Sequence, residues 1–141
     1  MDINVGTMNY IAADAIYSLP TRDFIETDFA VALKTFFVKM GEADYVNVEQ
    51  NCNKFALGAT FFMDYLHHNT TNKLSDTGIA FGEFYYTRSA ANGGGGHAIN
   101  ITIIANKNGT NQFTVLFFEP QTYSLVQLTQ EEIESCEFYR F

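Results

Sequence analysis

The chain has 141 residues, 47% hydrophobic and 17% charged, with 8 basic against 16 acidic side chains and a net charge of −8. That sign argues against nucleic-acid binding, which needs clustered Lys and Arg to neutralise phosphates, and against a polybasic membrane anchor. The length and the supply of bulky apolar residues lead us to expect one domain spanning residues 1–141.

Tyr10, Ile11, Ile16 and Tyr17 are apolar without clear periodicity and read as a core edge. Phe29, Leu33, Phe36, Phe37 and Met40 recur at helical spacing, and Gly41 ends that helix. Residues 42–50 are polar and read as a loop. Cys52, Phe55, Ala56, Ala59, Phe62, Met63 and Leu66 form a second helical stripe, with Asn51 at the N-cap position. Residues 67–76 read as polar loop. Residues 79–87, rich in Phe and Tyr, read as a strand. Four glycines, Gly93 to Gly96, lead into a β-branched strand over residues 97–104. Asn108-Gly109 signals a turn, and residues 113–119 form the return strand. Residues 123–128 suggest another strand, Thr129 to Glu132 has a capping-box pattern, and residues 136–141 read as a terminal strand. Helices first and an antiparallel sheet after give an α+β class.

No apolar run reaches the ~18 residues of a transmembrane helix. MDINVGTMNY lacks the basic and apolar regions of a signal peptide. Cys52 and Cys136 make no disulfide framework, so the expectation is a reduced, intracellular protein that binds neither nucleic acid nor membrane.

Three residues stand out as chemistry. Cys52 opens a helix, where unpaired N–H groups and the helix dipole favour the thiolate. His97 leads a strand out of the glycine run, which lets backbone pass close to a ligand. Glu119 ends the strand that the Asn108-Gly109 turn folds back beside His97. A carboxylate there orients an imidazole, and the imidazole holds a thiol's proton. Gln50 and Gln121 are candidate oxyanion or substrate-binding donors. Asp64, His67 and His68 lack the spacing of a zinc site, and the glycine run lacks the G-K-[ST] of a phosphate loop. The run Glu131, Glu132, Glu134 and Glu137 reads as a solvated acidic face, and the Phe36-Phe37 and Phe61-Phe62 pairs as core.

The blocks Asn51-Cys52-Asn53-Lys54-Phe55-Ala56, Gly96-His97-Ala98-Ile99-Asn100-Ile101 and Phe118-Glu119-Pro120-Gln121-Thr122 resemble the D-C-D-x-F-A, G-H-A-x-N and E-P-Q-T segments of papain-like and transglutaminase-like cysteine-peptidase domains. They resemble most the branch that includes the C-terminal papain-like domain of a fungal agglutinin and related phage and bacterial proteins. That resemblance implies a papain-like fold, with a helix carrying Cys52 packed on an antiparallel sheet carrying His97 and Glu119. It implies Cys52 as nucleophile, His97 as general base and acid, and Glu119 as orienter. It also implies a peptide or protein substrate and calcium as an accessory ion. Asn51 and Asn53 replace the acids usual beside the cysteine. The expected function is therefore a cysteine hydrolase of peptidase or isopeptidase type, acting through a thioester. The alternative is a catalytically silent papain-like structural or binding module, such as a phage accessory or virion protein with a protein partner.

Overall fold

The computed structural model describes residues 10–11, 17–41, 52–70, 78–105 and 113–141. The Asn108-Gly109 turn, the 42–50 loop and the Asn51 cap lie outside the described residues.

Thr21 opens the first helical stretch by accepting the backbone N–H of Phe24 at 3.1 Å. This stretch runs as α1 (Arg22–Phe24), a π-helical segment (Ile25–Phe29) and α2 (Ala30–Lys39). Ile25 and Phe29, the two ends of the π segment, are both fully buried, so its wider turn serves to keep both in the core. Gly41 follows the helix at φ +72°, a left-handed position that favours glycine.

The long helix α3 spans Cys52–Thr70. It continues past Leu66, where the sequence suggested a loop. His67 turns inward and is buried, while His68 and Asn69 face out, so polar residues extend the helix on its solvent side. Phe61 also departs from expectation. It is 61% exposed, whereas its neighbour Phe62 is buried and stacks on Phe36 at 4.7 Å.

The strands are β1 (Tyr10–Ile11), β2 (Tyr17–Ser18), β3 (Gly78–Ile79), β4 (Phe81–Thr87), β5 (Gly96–Ala105), β6 (Phe113–Glu119), β7 (Ser124–Val126) and β8 (Phe138–Arg140). Six form one sheet in the order β1-β8-β4-β5-β6-β7, and β2 pairs with β3 separately. The β4-β5-β6-β7 meander is antiparallel, but β1 lies parallel to β8 and β2 parallel to β3. A short helix, α4 (Gln130–Glu134), precedes β8 and carries the expected capping box.

The expected papain-like α+β class is corrected by this arrangement. Among the described residues the N-terminal segment supplies parallel strands as well as helices, the main sheet is mostly antiparallel with β1 parallel to β8 at its edge, and eight strands stand against few helices. The period of two along β5 divides the interior. Its even-numbered residues meet α3: Asn100 donates Nδ2 to the carbonyls of Ala56 and Gly82, both at 2.9 Å, and its Oδ1 has no partner. Ile99 and Ile101 face the opposite cluster, with Phe84, Tyr86, Phe117 and Ile133. On the α3 side, Phe29 contacts Phe62, Phe81 and Phe118.

Candidate functional site

Strand register brings His97 and Glu119 together. Asn100 pairs with Phe118, which carries Glu119 to the level of Ile99, so the carboxylate reaches His97 on a diagonal rather than straight across. His97 Nε2 and Glu119 Oε2 are 2.6 Å apart, with side chains only 10% and 13% exposed. The second carboxylate oxygen accepts the backbone N–H of Gln121 at 3.1 Å, which fixes its plane. Tyr86, directly across the β4–β5 ladder from His97, meets the imidazole edge to face at 5.8 Å. Burial, then the nearby carboxylates of Glu132 and Glu119, pushes the Tyr86 hydroxyl up to about 12.

Cys52, at the start of α3, is 9% exposed and packs with Ala56, Ala98 and Tyr85. That is the α3 side of the sheet, whereas alternation sends His97 to the other side with Tyr86. The two sides meet at the end of β5. A small pocket of about 150 Å³ there is lined by Cys52, Asn53, Tyr85, Tyr86, Gly96 and His97, among others. No hydrogen bond joins the Cys52 sulfur to His97 among the described residues, and Nδ1 of His97 makes none. The structure thus pairs His97 with Glu119 and sets Cys52 in the same pocket, unbonded to either. Gln50 lies outside the described residues, and Gln121 contributes its backbone N–H to Glu119.

The rim of this pocket is held by a residue that the sequence placed in a solvated acidic run. Glu132 is 1% exposed. Its Oε1 accepts the backbone N–H of Ser89 at 2.9 Å, the Ser89 hydroxyl at 3.0 Å and the Asn92 amide at 2.7 Å. Its Oε2 accepts the Thr129 N–H at 3.0 Å. Burial alone would raise this carboxyl, but the bonds from Asn92, Thr129 and Ser89 outweigh it and hold the group down to about 2. The turn so fastened, Ala90–Asn92, leads through Gly93, Gly94 and Gly95, all at positive φ, into His97. The signal for Glu132 was its capping box, which announces one of its two oxygens and hides the other.

A second buried carboxylate also escaped the sequence reading. Glu83, on the α3 side of β4, is fully buried and pairs with Arg140 at 2.9 Å. The Tyr85 hydroxyl donates to it at 3.1 Å. Burial first, then Glu83, raises that hydroxyl to about 12.

Among the described residues, no group of three or more His, Cys, Asp or Glu side chains converges as a metal site. No described helix is long and apolar enough to cross a membrane.

No family model matches the chain, and no curated protein matches it. A solved structure does. The chain is similar to a lectin. One match is to the Polyporus squamosus lectin, solved bound to the human-type influenza-binding epitope Neu5Acα2-6Galβ1-4GlcNAc, with a TM-score of 0.63 and 20% identity. It covers 95% of this chain and 42% of the lectin chain, so the chain spans less than half of that protein's length. At this identity the likeness is one of fold. It corrects the expectation of a papain-like or transglutaminase-like cysteine peptidase, and with it the thiol-protease function and the phage or virion setting, and it lends the expected peptide substrate no support. The neighbour is a lectin, solved with a sialylated glycan epitope bound.

Proposed function

We propose that the chain is a carbohydrate-binding module. The observation that supports it is the lectin likeness over 95% of the chain. The sequence already carried a binding module as its alternative, and the lectin likeness gives that alternative a ligand class. The pocket geometry agrees with it, because Cys52 is packed against Ala98 and unbonded to His97. The test is calorimetry of the intact chain with Neu5Acα2-6Galβ1-4GlcNAc and its desialylated form, preceded by a glycan array. Saturable binding at or below about 1 mM, roughly 4 kcal/mol of binding free energy, supports the reading. Absence of binding to every arrayed glycan refutes it.

A second reading is favoured by one specific contact, the 2.6 Å pair of His97 and Glu119 beside Cys52. In it the pocket is a reactive-thiol site, with Cys52 as nucleophile, His97 on the pocket wall as its proton acceptor, and Glu119 as orienter. Alkylation of Cys52 by iodoacetamide below pH 7, abolished in His97→Ala, supports it; an unperturbed thiol titrates near pH ~8.5 and would label slowly there. Labelling no faster than a free thiol removes it.

A further inference from the structure

A second cleft lies away from the His97 pocket, where the first helical turn faces the free edge of the sheet. It measures about 420 Å³ and is lined by Arg22, Glu26, Tyr123, Ser124, Leu125 and Gln127, among others. We infer that this cleft holds a neutral hexose at the end of a glycan, a site assignment that rests on the carbohydrate reading above.

The chemistry of the lining carries the inference. A hexose presents an apolar C–H face and a ring of hydroxyls that both donate and accept. A matching site offers an apolar or aromatic platform beside planar polar groups. Here the platform is Tyr123 and Leu125, both half-buried and anchored on the aromatic core. Tyr123 rests 6.2 Å from the Phe37 ring and closes the β6–β7 turn at φ +56°, so its backbone sits in a conformation that bulky residues seldom adopt. A strained aromatic at a cleft is a recurrent mark of binding.

The polar side is Arg22 and Glu26. Nε and one Nη of Arg22 both donate to the same oxygen, Oε1 of Glu26, at 3.2 Å. The other carboxylate oxygen and the other guanidinium nitrogen make no hydrogen bond among the described residues. An acceptor and a donor then stand side by side, the pattern that two neighbouring hydroxyls satisfy. An acidic sugar fits less well. Its carboxylate would meet Arg22 only with Glu26 alongside, in a chain of net charge −8. An extended peptide adding to the sheet edge fits less well again, because β7 has three residues and offers a short ladder.

The experiment is calorimetric titration of the intact chain with Galβ1-4GlcNAc and with its α2-6-sialylated form, repeated on Arg22→Ala and Glu26→Gln. Both side chains are exposed, so neither variant should change the melting temperature. The expected result is binding of the neutral disaccharide, weakened about tenfold or more in each variant, as loss of a charge-assisted hydrogen bond predicts. Wild-type binding that both variants retain overturns the cleft as the site and leaves the carbohydrate reading standing. Binding of the sialylated form alone overturns the neutral-hexose assignment. A wild type that binds no glycan fails the carbohydrate reading itself, and the inference falls with it.

Discussion

Replacing Glu132 with Gln is expected to unfasten the rim of the His97 pocket and to change the acid stability of the whole chain. A glutamine has one acceptor oxygen. If that oxygen takes over the bonds from Ser89 and Asn92, its NH2 group is driven against the Thr129 N–H, and the reverse pose places it against Ser89. Donor faces donor either way, in a position 1% exposed to solvent. The carboxyl is held down to about 2 from an ordinary glutamate value of 4.5. That shift corresponds to about 3 kcal/mol of native-state stabilisation at neutral pH, at ~1.4 kcal/mol per unit. The sign follows from the direction. A lowered folded-state value means that the stabilisation is complete above pH ~4.5 and drains away as pH falls toward ~2. Urea unfolding at pH 7 should therefore show Glu132→Gln less stable by about 3 kcal/mol, or roughly 10 °C in Tm. Between pH 5 and 2 the variant should lose less stability than the parent. Amide exchange at Ser89, Asn92 and Gly94 should speed up. A variant within about 0.5 kcal/mol of the parent, the range of ordinary surface substitutions, with an unchanged acid slope, would refute this account of Glu132.

Gly82→Ala should be severe, because a Cβ there would lie 1.7 Å from the Arg140 carbonyl oxygen and 2.7 Å from its carbon. Backbone has to move, so a loss above about 3 kcal/mol is expected in urea unfolding, and a change below 1 kcal/mol would show β8 to be loosely held. His97→Ala leaves the Glu119 carboxylate poorly hydrated with only the Gln121 N–H, and should cost about 1–3 kcal/mol by the same assay. Burial pushes the Cys136 thiol up to about 11, so alkylation followed by peptide mass at pH 8 should find it nearly inert in the folded chain and reactive in urea. Ultraviolet titration should show Tyr85 and Tyr86 among the last phenols to ionise, near pH 12; complete ionisation by pH 11 would contradict their burial.

Much of the sheet was legible because β5 and β6 are dense in β-branched and aromatic residues bounded by turn signals, and the structure sets them at Gly96–Ala105 and Phe113–Glu119. The nearness of His97 and Glu119 followed from counting about the turn, although the true register is offset and the contact is diagonal. Other features had no local signal. Helix α3 runs through His67 to Thr70 with His67 buried and His68 and Asn69 on the outer face, a stretch that composition alone reads as loop. Parallel pairing of β1 with β8 joins segments over a hundred residues apart, and no periodicity announces it. Glu132 and Glu83 are buried carboxylates whose partners, Ser89, Asn92 and Arg140, lie 40 to 57 positions away. A charge in sequence looks solvated until the fold supplies its donors. The family expectation failed for a different reason: short motifs report which residue types stand together, whereas the similarity that the whole fold bears is to a lectin.

Strand β8 sits between β1 and β4, with the chain's earliest described strand on its far side. Among the described strands β1 pairs with β8 alone, and β8 in turn is held by β4. During synthesis, then, residues 10–11 wait for residues 138–140 to emerge, and β4 keeps an open edge throughout that interval. A chain stopped between Val126 and Phe138 would contain the whole meander while exposing that edge to other chains. Three residues of β8 therefore act as a lock, closing the β4 edge and fixing the place of β1 at once.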